Sequence, residues 1–254
     1  MSKPILAAQL YTVRDHTQTA DDFRATLKKV SEIGYRSVQV SGTGPIPAEE
    51  VKAALDDNKL TCCITHISYD RLLNDLPQVI EEHKLWGCNH VGIGSMPPEF
   101  RGIGEAGYKN FIPFANEVSG KLADEGMTFG YHNHSFEFER YGNRTGLDIL
   151  YDDSKNLNAI LDTYWIQHGG ADSAAWIHKV AGRMPVIHVK DMVMQGKEQI
   201  MAEVGEGNLN WPAILAACEE TGVQYLAVEQ DICQRDPFES LAISYKNLAS
   251  WGYQ

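Results

Sequence analysis

Short apolar runs alternate along the whole chain with longer stretches in which apolar residues recur every three or four positions. The runs read as strands at residues 5–10, 37–40, 60–66, 90–93, within 127–138, and at 157–161, 185–189 and 224–228. The stretches between them read as helices at residues 20–33, 48–57, 75–86, 105–125, 146–154, 171–181, 211–221 and 237–251. Capping chemistry marks several of the boundaries. Thr19-Ala-Asp-Asp22 is a capping start with acids in the first turn, Phe23, Leu27 and Val30 follow at helical spacing, and Gly34 stands where a helix favours glycine at its end. Pro113 predicts a bend or a division of the helix at 105–125, and residues 190–208 read as a long irregular stretch. Strict alternation of this kind predicts parallel strands joined by helical crossovers, and about eight units close a (β/α)₈ TIM barrel, one α/β domain over residues 1–254. An open doubly wound sheet is the alternative. The barrel is favoured because no glycine-rich phosphate fingerprint follows the first strand and polar residues stand at the carboxyl end of nearly every strand.

In a barrel those ends converge on one mouth: Tyr11 and Arg14, His66, His132 and His134, Asp162, His188 and Lys190, then Glu229 and Asp231. Residues 127–138, MTFGYHNHSFEF, carry the densest signal. Side chains alternate along a strand, so Phe129 and Tyr131 share one face while His132 and His134 share the other, with Glu137 close by. The same parity turns Tyr225, Ala227, Glu229 and Asp231 inward and Leu226 and Val228 toward the helices. Asp162, His188 and Glu229 form a mixed oxygen and nitrogen set that suits Mn²⁺, with Mg²⁺, Co²⁺ or Zn²⁺ as alternatives. Asp162 precedes the helix read at 171 by several residues, and Glu229 is likewise detached from the last helix, so helix capping explains neither. Lys190 reads equally as a stabiliser of an oxyanion or as a solvated lysine before a loop.

Composition narrows the partners. A formal net charge of −12 disfavours phosphodiester backbones and anionic membranes. Five cysteines without metal-finger spacing fit reduced, buried thiols, and no apolar run approaches membrane-spanning length. The amino-terminal residues reach Gln9 and Arg14 too soon for a signal-peptide core, so the expected location is cytoplasmic.

The strand endings, with Gly34-Tyr35 before the second strand, Val204-Gly-Glu-Gly-Asn-Leu-Asn-Trp211 before a helix, and Val228-Glu-Gln-Asp231, resemble the xylose-isomerase-like barrel superfamily of sugar isomerases and epimerases along essentially the whole chain. That resemblance implies one divalent metal held by Glu, Asp, His and Glu at strand ends, the last three of which look like Asp162, His188 and Glu229. Where the family has its first glutamate this chain offers His132, or Glu137 if the strand extends differently; parity favours His132. Gln39 stands where relatives often carry a glutamate.

The expected activity is proton abstraction next to a sugar carbonyl, the metal stabilising an enediolate, as in an isomerase or epimerase. Glu229 is the expected base, and His134 or Glu137 the opposing acid/base; His66, Trp165, His168, Lys190 and Arg14 are expected to bind the sugar. A keto-sugar or keto-inositol dehydratase or lyase would use the same enolate. Abasic-site DNA cleavage fits the acidic balance poorly, and a non-enzymatic sugar-binding barrel is the remaining class. A neutral carbohydrate is expected over a sugar phosphate, without nucleic acid or membrane, and with homo-oligomerisation left open.

Overall fold

The computed structural model describes residues 3–254. Among these, eight parallel strands form the wall of a barrel: β1 (Ile5–Gln9), β2 (Ser37–Val40), β3 (Thr61–His66), β4 (His90–Ile93), β5 (Thr128–His132), β6 (Asn158–Ile160), β7 (Val186–Val189) and β8 (Tyr225–Val228). Each strand from β1 to β5 pairs with the next, β7 pairs with β8, and β8 returns to β1. The seam between β6 and β7 is closed by a parallel bridge between Asp162 and His188, where the His188 N–H donates to the Leu161 carbonyl at 2.8 Å. Closure of the barrel therefore sets two of the candidate ligands side by side.

Strand parity sorts the apolar residues into two cores. Val38, Phe129, Tyr131, Ile187, Leu226 and Val228 pack outward against helix residues such as Phe23, Leu27, Val30 and Leu55. Ala7, Ile64, Ile160, Val186 and Ala227 fill the barrel itself. Each large aliphatic side chain buried in this way contributes about 1.5–3 kcal/mol. The interior is plugged where Ile160 reaches across glycines of β5 and β4: a Cβ on Gly92 or Gly130 would lie 2.7 or 2.8 Å from its side chain. The five cysteines are free, four of them buried, and no described helix is long and apolar enough to cross a membrane.

The structure departs from the sequence pattern in several places. Residues 190–208 are partly regular, with Asp191–Gln195 and Glu198–Ala202 forming an antiparallel hairpin beyond β7. Two short helices, Tyr69–Asn74 and Thr163–His168, follow β3 and β6 directly; each is too short to show an apolar period. The helix read at 171–181 is confined to Ser173–Lys179. Glu105–Asp124 runs as one helix through Pro113, because Phe111, Ile112, Ala115, Val118 and Leu122 hold its inner face against the sheet. That packing outweighs the roughly 3 kcal/mol a mid-helix proline costs.

Candidate metal centre and active site

His132 ends β5, Asp162 follows β6, His188 lies within β7 and Glu229 follows β8; one ligand atom from each lies within 4.8 Å of all the others. All four residues are buried. Glu137 stands outside this group. Asp162 has two jobs. Its Oδ1 accepts the Trp165 N–H at 3.1 Å and caps Thr163–His168, which corrects the expectation that no helix follows it closely, while its Oδ2 faces the cluster. The Asn133 side chain accepts the Asp162 N–H at 3.1 Å and holds the bend where the strand stops.

The outer nitrogens of both histidines face acceptors. His132 Nδ1 lies 3.0 Å from the Gly94 carbonyl, and His188 Nε2 lies 2.7 Å from Gln39 Oε1, whose own amide donates to Ser41 Oγ. With those outer nitrogens protonated, His132 Nε2 and His188 Nδ1 turn their lone pairs inward. There His132 Nε2 meets Asp162 Oδ2 at 3.3 Å and His188 Nδ1 meets Glu229 Oε2 at 2.9 Å. Acceptors facing acceptors call for a proton or a cation between them, and outer partners that fix the tautomer are what metal-ligating histidines use. The residues present fit a divalent ion.

Lys190 is completely buried beside them. Its Nζ lies 3.0 Å from Asp162 Oδ2 and 2.9 Å from Glu229 Oε2 as ion pairs and donates a hydrogen bond to Asp231 Oδ2 at 2.6 Å. The solvated-lysine reading is thereby corrected. Burial opposes ionisation of every member, but charge pairing prevails for three of them. Asp231 is the exception among the three carboxylates, pushed up by burial and by the neighbouring Glu229. Lys190 stays well above the ordinary lysine value because Asp162, Glu229 and Asp231 surround it. Glu229 is held well below the usual carboxylate range by Lys190 and His188, and Asp162 is lowered by Lys190 and His132.

The other candidates arrange themselves around this centre. The His66 ring lies 5.3 Å from that of His132 and 5.4 Å from that of His188, and His134 stands edge-on to His132 at 4.9 Å. Trp165 packs 5.4 Å from His134, with the Lys190 ammonium 5.6 Å from its ring. His66 Nε2, His134 Nδ1 and Trp165 Nε1 are enclosed and have no partner among the described residues. Burial, reinforced by the neighbouring His132, keeps His134 uncharged, with its pKa pushed down to about 3, and burial also lowers His66 well below the imidazole norm.

Three candidates sit elsewhere. Glu137 does not fold over the mouth: it is fully buried behind β5, where Oε1 accepts from the Tyr131 hydroxyl at 2.7 Å and Oε2 from the His134 N–H at 2.8 Å. A carboxylate can bring two donors of a tight turn together, and this one is spent doing so. His168 is exposed, its ring against Tyr164 and Trp165. Arg14 donates to the Tyr11 and Asp231 carbonyls and stacks on Tyr11, tying the loop after β1 to the loop after β8.

Asp191 was not among the sequence candidates, and it explains the Gly-Glu-Gly-Asn-Leu-Asn-Trp segment. Its carboxylate accepts N–H groups from Met192, Gly205, Gly207, Leu209 and the Trp211 indole. A Cβ on Gly207 would lie 2.3 Å from Asp191 Oδ1, so the loop closes only with glycine there. This buried knot lies one residue beyond Lys190 and anchors the backbone that delivers it. A carboxylate adjoining a strand end and followed by a glycine- and asparagine-rich loop was the available signal.

Residues 27–237 match the xylose isomerase-like TIM barrel family, and the chain belongs to it. No curated protein matches with significance. Among solved structures, the chain is similar to a sugar phosphate isomerase/epimerase from Parabacteroides distasonis (TM-score 0.81, 20% identity, 99% of this chain and 96% of that one). It is also similar to the probable 3-DHS dehydratase AsbF from Bacillus anthracis (TM-score 0.73, 14% identity, 96% and 98%) and to an L-ribulose 3-epimerase (TM-score 0.71, 15% identity, 97% and 94%). At these identities the likeness speaks for the shared fold.

Proposed function

We propose that this protein is a divalent-metal-dependent enzyme that removes a proton next to the carbonyl of a neutral sugar, returning it as an isomerase or epimerase does. The observation that carries the reading is the convergence of two tautomer-fixed histidines and two ionised carboxylates at the mouth of the barrel. His132, Asp162, His188 and Glu229 would hold the ion, Mn²⁺ best matching this mixed donor set. A cation held there supplies Lewis-acid polarisation of the carbonyl and of the adjacent hydroxyl.

Glu229 is the base in this scheme: it stays ionised because Lys190 and His188 lie against it. Lys190 acts as counter-charge, holding the Asp162 and Glu229 carboxylates in place. His66, His134 and Trp165 bind the sugar, their free polar atoms matching hydroxyls and the indole face matching C–H groups. Both cations read at the mouth, Lys190 and Arg14, are engaged with protein oxygens, which supports a neutral sugar over a phosphorylated one.

One feature favours β-elimination as a second reading. Glu137 is occupied, and His134 is a weak base, so the β5 side offers no strong second acid/base opposite Glu229. A dehydratase needs only the first proton removed and a leaving group expelled. The test for both is incubation of the Mn²⁺-loaded protein with keto-sugars, keto-inositols and 3-keto-glycosides in deuterated water. Deuterium in recovered substrate or in an isomer supports proton return, and loss of water or an alcohol supports elimination. Neither outcome across the panel, with metal bound, would refute the enolising activity, and a strong kcat/KM preference for phosphorylated sugars would refute the neutral-sugar assignment.

A further inference from the structure

Gln9 is the last residue of β1 and is completely enclosed, yet only half of its carboxamide is used. Oε1 accepts the Tyr11 N–H at 3.0 Å and caps the turn after the strand. That contact orients the amide, since the reverse orientation would set its NH₂ against an N–H donor. Nε2, with two protons to give, has no partner among the described residues. Buried donors are ordinarily satisfied, and an unmet one is costly, so this group calls for an acceptor.

Its position says where the acceptor would lie. Ala7 belongs to the barrel interior, and residues two apart on a strand share a face, so Gln9 also points to the axis. Register sets it beside Gln39, the partner of His188, and one step beyond the pairing of Ala8 with Val228, next to Glu229. Tyr11 lies past the carboxyl end of β1, so the contact with it draws the carboxamide to the mouth. In the strand order β1 stands four strands from β5 in either direction, which places Gln9 across the centre from His132 and His134. The other free polar atoms around the cluster belong to His66, His134 and Trp165, on or just after β3, β5 and β6. Lys190 is held among carboxylates by ion pairs and one hydrogen bond.

We propose that Gln9 is a substrate-binding residue, its Nε2 donating to a hydroxyl or carbonyl oxygen of the sugar on the side of the site opposite His134. The inference rests on the sugar reading above. Capping alone needs only a side-chain oxygen; the carboxamide adds the donor a neutral, oxygen-rich ligand can use.

The experiment uses Mn²⁺-saturated protein with D-allulose as probe, in calorimetry and in soaked crystals. Gln9→Glu keeps the capping oxygen and removes the donor; Gln9→Met removes both, and melting temperatures report the cap separately. Both variants are expected to bind the sugar about 3- to 10-fold more weakly, the effect of one neutral hydrogen bond, although only Gln9→Met loses the cap. Wild-type affinity in Gln9→Glu would show that the residue acts as a cap alone and would overturn the proposal. So would a wild-type crystal with sugar at the cluster and no sugar oxygen on Gln9 Nε2. Failure of the wild type to bind D-allulose or any other sugar of the panel above would instead overturn the sugar reading, and this assignment with it.

Discussion

Replacing Glu137 by glutamine should reverse its effect on stability between mildly acidic and mildly basic pH. Burial raises this carboxyl from an ordinary 4.5 to about 7, although the Tyr131 hydroxyl and the His134 N–H both favour the ionised form. Between those two values the unfolded chain has released the proton while the folded chain still holds it. The folded state then binds more protons, so stability falls as pH rises through this window and levels off above about 7. The 2.5-unit difference (7 − 4.5) corresponds to roughly 3 kcal/mol at about 1.4 kcal/mol per unit. Glutamine does not titrate, but it offers one oxygen to two donors and forfeits one contact, a loss of about 1–2 kcal/mol. The variant should therefore be the less stable protein by about 1 kcal/mol near pH 5 and the more stable one by about 1–2 kcal/mol near pH 8. Urea unfolding of both metal-free proteins at the two pH values reads the difference directly. An equal deficit at both would mean that Glu137 is ionised throughout, and the argument from burial would fail.

Three further outcomes are expected. Mn²⁺ should raise the melting temperature, by about 2.7 kcal/mol of stability at a hundredfold excess over Kd; His132→Ala and Asp162→Asn should abolish the rise while Glu137→Ala keeps it, and the opposite pattern would move the fourth ligand to Glu137. Gln39→Leu should weaken Mn²⁺ binding about 10- to 100-fold by freeing His188 Nε2, and calorimetry showing unchanged affinity would remove Gln39 from the support of the centre. Gly207→Ala should cost about 2 kcal/mol or more, because its Cβ would meet the Asp191 carboxylate at 2.3 Å; an unchanged melting temperature would show that the loop yields.

The barrel was legible in the sequence because its information is local. Short apolar runs such as Tyr225–Val228 and helical stretches with Thr19 or Gly34 at their ends declare themselves within a few residues. Parity along β5 and β8 likewise sets which way His132 and Glu229 point, since side chains on a strand must alternate. Tertiary structure alone decided what those residues meet. Asp162 caps a helix too short to show a period and also faces His132, Lys190 and, across the closing seam, His188. Lys190, free on paper, is buried among three carboxylates delivered by other strand ends. Glu137, only five residues from His132, turns behind its strand because the Tyr131 hydroxyl and a backbone N–H wait there. A sequence orders residues along one line, whereas charge pairing and desolvation depend on which lines end at the same point, and barrel closure alone settles that.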